Sequence, residues 1–466
     1  MTRFQELSGR FALGTRKKAA GAAQSRLGWL DAVRGIAALA VVLQHFDTLQ
    51  LVPWAGEFWL HFDLGLYGVM AFFLVSGYII PASLERRGDV RAFWIGRIFR
   101  IHPALIVTIA LSVIALPDDR MPVSLFNLDH VPTVLTANLL MLQELLGVPN
   151  SLRVMWTLSY EMVFYFFVTA LFVRGLHRRT SAIAVGLSAG AVLMGITLTR
   201  RALSTGPLAT THAVMGVALL VIAALAFVMT GRSELVRIGA LLLGGVGLVL
   251  VFQNGRAPGF ETLMIFATMF AGTVIYRAEH GQIDRLQGWL VCALVLSAGL
   301  LVGWMYNRGA NAEGTWTSTW MAWCNSYGLA WATFGAAMLL RKRRFPRVLT
   351  WLGAVSFAMY LVHVPVLYAT AGVIMKRPTM ASPASDKLLW FGAYLALVLV
   401  ASQLLYSLVE MPMQSLGKKV IKALARRDES RAAAEAAPVP EARSSDGAEE
   451  AARGSGEERQ EPVLLR

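Results

Sequence analysis

Arg34 and His45 stand eleven positions apart in the apolar run WLDAVRGIAALAVVLQHF. At about 100° per residue this spacing is close to three whole turns of an α-helix, so both side chains share one face, roughly 16 Å apart. Ionisable groups at membrane depth are costly and tend to mark function. An imidazole there can take a proton from a hydroxyl or briefly carry a transferred group. A guanidinium instead grips anions through a planar fork of donors. A second charged stretch, RRGDVRAFWIGRIFRIHP, sets Arg97 and Arg100 three apart, as neighbours on a helix surface. Arg34, Arg97 and Arg100 together would suit the phosphates of a cytoplasmic ligand such as coenzyme A.

Two later stretches add ionisable groups. MWTLSYEMVFYFF carries Glu161, and WLGAVSFAMYLVHVP carries Tyr360 and His363. Counting from the ends of the apolar runs places Glu161 about two turns below the outer surface. His45 falls at a similar depth, His363 at about that level, and Tyr360 one turn before it. The reading therefore predicts that Glu161 and His363 converge on His45. A carboxylate beside an imidazole holds one tautomer and raises its basicity, as a general base for hydroxyl attack requires. The same buried His and Glu residues would also serve as the proton relay of a secondary transporter, which is the competing reading. Phosphate-binding loops, dinucleotide fingerprints and HExxH zinc motifs are not found, so ATP, NAD and metal chemistry gain no support.

The elements that must position these residues follow from composition. The chain has 466 residues, of which 56% are hydrophobic and 15% charged, a balance foreign to soluble domains. Apolar segments run approximately over 29–49, 64–82, 99–116, 155–173, 181–199, 208–229, 235–253, 259–277, 286–306, 317–340, 349–371 and 388–410. Each is near the roughly 20 residues needed to cross about 30 Å of hydrocarbon. The expected fold is an all-α polytopic bundle of about 10–12 transmembrane helices.

The formal charge of +14 sits in short turns between these segments and not on one basic stripe, which argues for membrane orientation and against nucleic acid. Basic turns fall on the side of the N-terminus if Val131 to Gly147 does not cross. Both termini are then cytoplasmic, and Pro117 to Met155 forms an outer cap. The expected organisation is a basic cytoplasmic segment over 1–26 with no cleaved signal peptide, a membrane domain over 27–412, and a cytoplasmic tail over 413–466. From about Arg426 that tail is rich in Ala, Glu, Arg, Ser and Gly and is expected to be mostly disordered. Cys292 and Cys324 lie inside apolar stretches and read as packing residues.

Taken in order, LDAVRGIAALAVVLQHF, FFLVSGYII, RIFRIHP, WTLSYEMVFY and SFAMYLVHVP give the chain a resemblance to the membrane acyltransferase 3 family, over roughly Leu30 to Pro412. That family includes bacterial O-acetyltransferases of surface polysaccharides and acyltransferases that modify antibiotics. The resemblance implies transfer of an acyl group, usually acetyl, from cytoplasmic acyl-CoA to a hydroxyl of a carbohydrate or lipid-linked glycan, in the plasma (inner) membrane. Acyl-CoA would be a co-substrate, with no permanently bound cofactor. The family's histidine falls on His45, its arginine partner on Arg34 and its paired arginines on Arg97 and Arg100. Glu161 is the expected second catalytic residue, with Ser76, Trp156, Ser159, Tyr165, Tyr360 and His363 as candidate acceptor-binding or supporting residues. Whether His45 acts as base or acyl carrier is left open by the residues.

Overall fold

The computed structural model describes residues 28–46, 55–115, 130–255, 258–371 and 381–436, with positions 376, 378 and 379. The expected N-terminal segment over 1–26 and the chain after 436 lie outside the described residues. In chain order the α-helices are α1 (28–45), α2 (Ala55–His61), α3 (Leu64–Arg87), α4 (Val90–Ala115), α5 (Val131–Leu139) and α6 (Trp156–Val173). They continue with α7 (Thr180–Met194), α8 (Pro207–Met229), α9 (Ser233–Gln253), α10 (Gly259–Glu279), α11 (Arg285–Tyr306) and α12 (Trp320–Leu339). The last four are α13 (Arg347–Ala354), α14 (Ser356–Ala369), α15 (Ala384–Leu405) and α16 (Met411–Ala436). Among the described residues no strand forms, and the β-type pairing is an isolated bridge between Arg200 and Gly255.

All twelve apolar segments fall on helices. Among the described residues eight helices are long and apolar enough to cross a bilayer, and α13 with α14 makes a ninth if this pair, bent by 71°, is one span. α7 has 15 residues, or about 22 Å of rise, short of the hydrocarbon thickness. α1 and α12 are diluted by polar residues, among them Asp31, Arg34, Gln44 and His45 in α1 and Asn325 and Ser326 in α12. Low apolarity in α1 is thus a consequence of the groups that could do chemistry.

α10 is the central helix, with nearly all of its residues buried, and it packs against α3, α7 and α11. The crossing with α3 is closed by small residues. A Cβ on Gly77 would stand 1.8 Å from the Met269 carbonyl oxygen, and one on Gly272 would stand 2.3 Å from that of Leu74. Thr273 then reaches across to donate to the Gly77 carbonyl at 2.8 Å. Small residues at such crossings let backbones touch, which drives association where lipid removes the hydrophobic difference. Gly77→Ala should therefore destabilise the fold by about 1–3 kcal/mol or more through overpacking. Gly186→Ala on α7, where nothing lies within 4 Å, is the matched control. Thermal unfolding in detergent checks the pair: a lowered midpoint is expected for Gly77→Ala alone.

The Val131 to Gly147 segment is not a crossing helix. α5 has nine residues and is followed by turns whose side chains, including Met141, Leu142, Leu145 and Leu146, are fully buried. The polar residues that interrupt the segment build its fold. Gln143 Nε2 donates to Asn150 Oδ1 and to the Met155 carbonyl, each at 2.9 Å, and Asn150 Nδ2 donates to Glu144 at 3.1 Å.

At the other end of the chain the expectation of disorder from Arg426 is corrected over its first turns. The compact unit extends to Lys418, and the residues after it are helical to Ala436 with mostly exposed side chains. Ala, Glu, Lys and Arg are strong helix formers even where no core is offered to them. Cys292 and Cys324 are free and partly buried on α11 and α12, and the Cys324 thiol donates to the Leu300 carbonyl at 3.3 Å.

Candidate active site

Four helices, α1, α3, α6 and α14, line both of two cavities stacked end to end, with α4 added at the first and α2 and α10 at the second. Sequence position along each helix gives the order. On α1 the first cavity meets Arg34 and the second His45, while on α14 the first meets Ser356 and the second Leu367 and Tyr368. α3 and α6 run the opposite way, from Gly65 to Ile80 and from Trp156 to Tyr165. Val69 and Tyr360 line both cavities and form the wall between them.

The first cavity, of about 120 Å³, is lined by Arg34, Arg97, Arg100, Glu161, Tyr165 and Ser76 among apolar neighbours. Each guanidinium is held differently. Arg34 pairs with Asp31 at 3.7 Å, one helical turn away. Arg97 donates to Ser83 Oγ at 3.0 Å and stacks over Phe93 and Tyr165, its guanidinium carbon 5.1 and 5.2 Å from the ring centres. These contacts fix the plane of the fork.

The Tyr165 hydroxyl donates to Glu161 one turn earlier on α6. Glu410, buried at the end of a π-helical turn over Tyr406–Glu410, lies within electrostatic reach of Arg34 and Arg100. Insertion of a π-turn at this point is a common way to re-aim a side chain. Glu161 and Glu410 offset the mutual repulsion of three guanidiniums in a low-dielectric site. Among the groups that line the cavity, cations still outnumber carboxylates three to one. The first cavity therefore presents guanidinium donors of the kind that bind oxyanions.

The second cavity, of about 890 Å³, is lined by His45 and Gln44, by Asp63, Glu144, Arg153 and Glu261, and by Trp59, Trp156 and Trp316. Trp156 and Trp316 meet edge to face, ring centres 4.5 Å apart. Glu261 accepts from the Trp316 backbone N–H at 2.7 Å, which ties the loop before α12 to α10. Asp63 caps α3 by accepting from Leu66 N at 2.6 Å, and Gln44 accepts from Gly65 N at 3.2 Å. The residue beside His45 thus pins the end of α1 to the start of α3. Phe46 stacks on Tyr394 and packs on Trp390, holding the same end of α1 against α15.

His45 meets His363, not Glu161. His363 Nε2 lies 3.3 Å from His45 Nδ1, and the two rings are tilted with centres 5.1 Å apart. His45 Nδ1 also lies 3.0 Å from the Val41 carbonyl, and His363 Nδ1 lies 3.1 Å from the Met359 carbonyl. Tyr360, one turn before His363, holds the wall: its hydroxyl donates to the Val154 carbonyl at 2.9 Å and bonds Thr157 Oγ1 at 2.6 Å.

The expected convergence of Glu161 on His45 is corrected, and the reason is geometric. The sequence expectation holds only if α6 begins at the surface. The residues that lead into it are instead buried, with Leu152, Val154 and Met155 at most 1% exposed. Five residues beyond Trp156 is about 7.5 Å further in, which carries Glu161 past the wall into the arginine cavity. The remaining candidates divide cleanly. Ser76 and Tyr165 line the first cavity and Trp156 the second. Ser159 faces neither, because its hydroxyl accepts from the Glu144 backbone N–H at 3.3 Å and braces the cap. Asp63, Arg153, Glu261, Trp59 and Trp316 escaped the sequence reading. Trp59 and Trp316 carry one visible signal, an aromatic residue between apolar runs, and the three charged residues carry none.

The family model described as an acyltransferase domain matches residues 27–407. Among curated proteins, the chain is similar to acyltransferase MdmB of Streptomyces mycarofaciens, 31% identical over 150 residues, or 30% of this chain and 38% of that one. It is similar to the putative peptidoglycan O-acetyltransferase YrhL of Bacillus subtilis (strain 168), 27% identical over 187 residues, covering 36% and 28% of the two chains. A putative O-acetyltransferase of Staphylococcus aureus (strain COL) is 33% identical over 84 residues, covering 17% and 12%. The chain thus spans less than half the length of these relatives. No solved structure matches it significantly.

Proposed function

The chain belongs to the acyltransferase family whose domain covers residues 27–407, and from that premise we propose that it transfers an acyl group, acetyl in the first instance, from acyl-CoA to a carbohydrate hydroxyl. The observation that carries this reading is the pair of cavities meeting at Tyr360, one cationic and one polar and aromatic. Arg34, Arg97 and Arg100 bind the donor phosphates from the cytoplasmic side. The thioester extends along α1 toward His45, about 16 Å away, through the wall that Tyr360 forms.

The acceptor enters the larger cavity from the opposite face of the plasma membrane. There Trp59, Trp156 and Trp316 offer flat apolar surfaces to a sugar ring, and the surrounding carboxylates and amides bond its hydroxyls. Relatives named as O-acetyltransferases support this acceptor class. In the reaction His45 Nε2 takes the hydroxyl proton as the oxygen attacks the thioester carbonyl. The C–S bond breaks, and the proton passes to the departing thiolate, leaving an ester and free CoA.

Purified protein incubated with radiolabelled acetyl-CoA and glycan acceptors tests the proposal. Label in an ester on the glycan is expected, and surface glycans of cells lacking the protein should be lighter by the mass of an acetyl group. Failure of label to bind or transfer, together with solute movement in vesicles, would sink it in favour of a transporter.

A further inference from the structure

Both histidine tautomers follow from the hydrogen bonds. A carbonyl oxygen only accepts, so the 3.0 Å contact of His45 Nδ1 with the Val41 carbonyl puts the proton on Nδ1. The 3.1 Å contact of His363 Nδ1 with the Met359 carbonyl does the same for the second ring. His363 Nε2 is then a bare lone pair, and it sits 3.3 Å from His45 Nδ1, whose one N–H it shares with the Val41 carbonyl. His45 Nε2 is likewise unprotonated, on a ring that lines the larger cavity.

We infer that His363 is the positioning residue of the reaction, a neutral imidazole whose Nε2 holds the His45 ring and, together with the Val41 carbonyl, accepts from its single Nδ1–H when His45 becomes imidazolium. This rests on the reading of His45 as the base in acyl transfer. When Nε2 captures the acceptor proton, positive charge spreads to both nitrogens and the Nδ1–H bond strengthens. That is the duty a buried carboxylate performs behind a catalytic histidine in serine hydrolases. Glu161 is not available for it, since it lines the other cavity and bonds Tyr165. A neutral acceptor also avoids burying a second full charge beside His45, which would be costly in a span. His363 is not itself among the residues that line the larger cavity and is fully buried behind His45, which separates support from substrate contact.

Three variants test this in the full-length protein, with kcat and KM measured for acetyl-CoA and for the acceptor. His363→Leu removes the acceptor atom, and His363→Asn keeps polarity but is too short to reach His45. Each should lower kcat about 30-fold, within the 10- to 100-fold typical of residues that orient a reactive group. Both KM values should stay within about twofold. His363→Gln can place its amide oxygen near the former Nε2 position and should recover kcat to within about threefold of wild type. A purely structural role would lower the amount of folded protein without this ordering. Equal losses in the Asn and Gln variants, or wild-type kcat in all three, would overturn the inference; if the Leu variant does not fold, the Asn and Gln pair decides. His45→Ala is run alongside. An active His45→Ala protein refutes the parent reading, whereas an inactive one beside unaffected His363 variants refutes this inference alone.

Discussion

His45→Ala is expected to lower acyl transfer by about 10³-fold, within the 10²- to 10⁴-fold that a positioned general base contributes. Three features of the site set this scale. The imidazole lines the larger cavity, where the acceptor hydroxyl would meet it. Its tautomer is fixed by the Val41 carbonyl, so the lone pair of Nε2 is always presented. The end of α1 that carries it is braced by α3 through Gln44 and by α15 through Phe46, and the ring itself is held by Val41 and His363, so little of the effect is spread among alternative orientations. The loss should appear in kcat, with donor KM nearly unchanged, because the arginine cavity does not include His45. Single-turnover measurement with labelled acetyl-CoA checks it, read against the level of folded protein in detergent. A His45→Ala protein that transfers at the wild-type rate would remove the base from the mechanism.

The architecture is readable because apolar length and periodicity are local properties: among the described residues every run is helical, with 349–371 divided into α13 and α14. The shared face of Arg34 and His45 was readable for the same reason, since both lie on one uninterrupted helix whose turn repeats every 3.6 residues. Relations between helices were harder. The placement of Glu161 depended on where α6 starts relative to the surface, and that is decided by the buried cap over 131–155, whose own packing involves contacts from Asn138 to Ser151 and from Gln143 to Met155. Partner choice between Glu161 and His363 depended on the same datum. The bend of 71° between α13 and α14 also shifts depth, and no proline or charge marks it at Val355. The larger cavity was least readable. Its walls come from the starts of α3, α6 and α10 and from the loop before α12, segments far apart in the chain that share no periodicity.

Arg100→Ala should weaken use of acetyl-CoA by about 10²-fold in kcat/KM, and the paired change with Arg97→Lys should weaken it further. A hydrogen bond to a charged group is worth about 1.5–3 kcal/mol, and 2.7 kcal/mol corresponds to roughly 100-fold. The two arginines differ in what else they do. Arg97 also bonds Ser83 and stacks on Phe93 and Tyr165, so its removal disturbs the packing of α3, α4 and α6 as well as the donor. Lysine at that position keeps the charge but loses the planar stack and the bidentate fork. Arg100 is the cleaner probe.

The decisive comparison uses a second donor, acetyl-pantetheine, which has the same thioester and no nucleotide phosphates. If Arg100 grips phosphate, its loss should penalise acetyl-CoA by about 10²-fold while changing acetyl-pantetheine turnover by less than about threefold. The wild-type preference for acetyl-CoA should shrink by the same factor. It should also fall as salt rises, because charge attraction at the cavity mouth is screened over about 8–10 Å at ordinary ionic strength. Equal losses on both donors would mean that Arg100 supports the fold or the thioester and that the phosphates bind elsewhere. The positive cavity would then be a charge-balanced anchor among Asp31, Glu161 and Glu410, and the donor would have to reach His45 by another path.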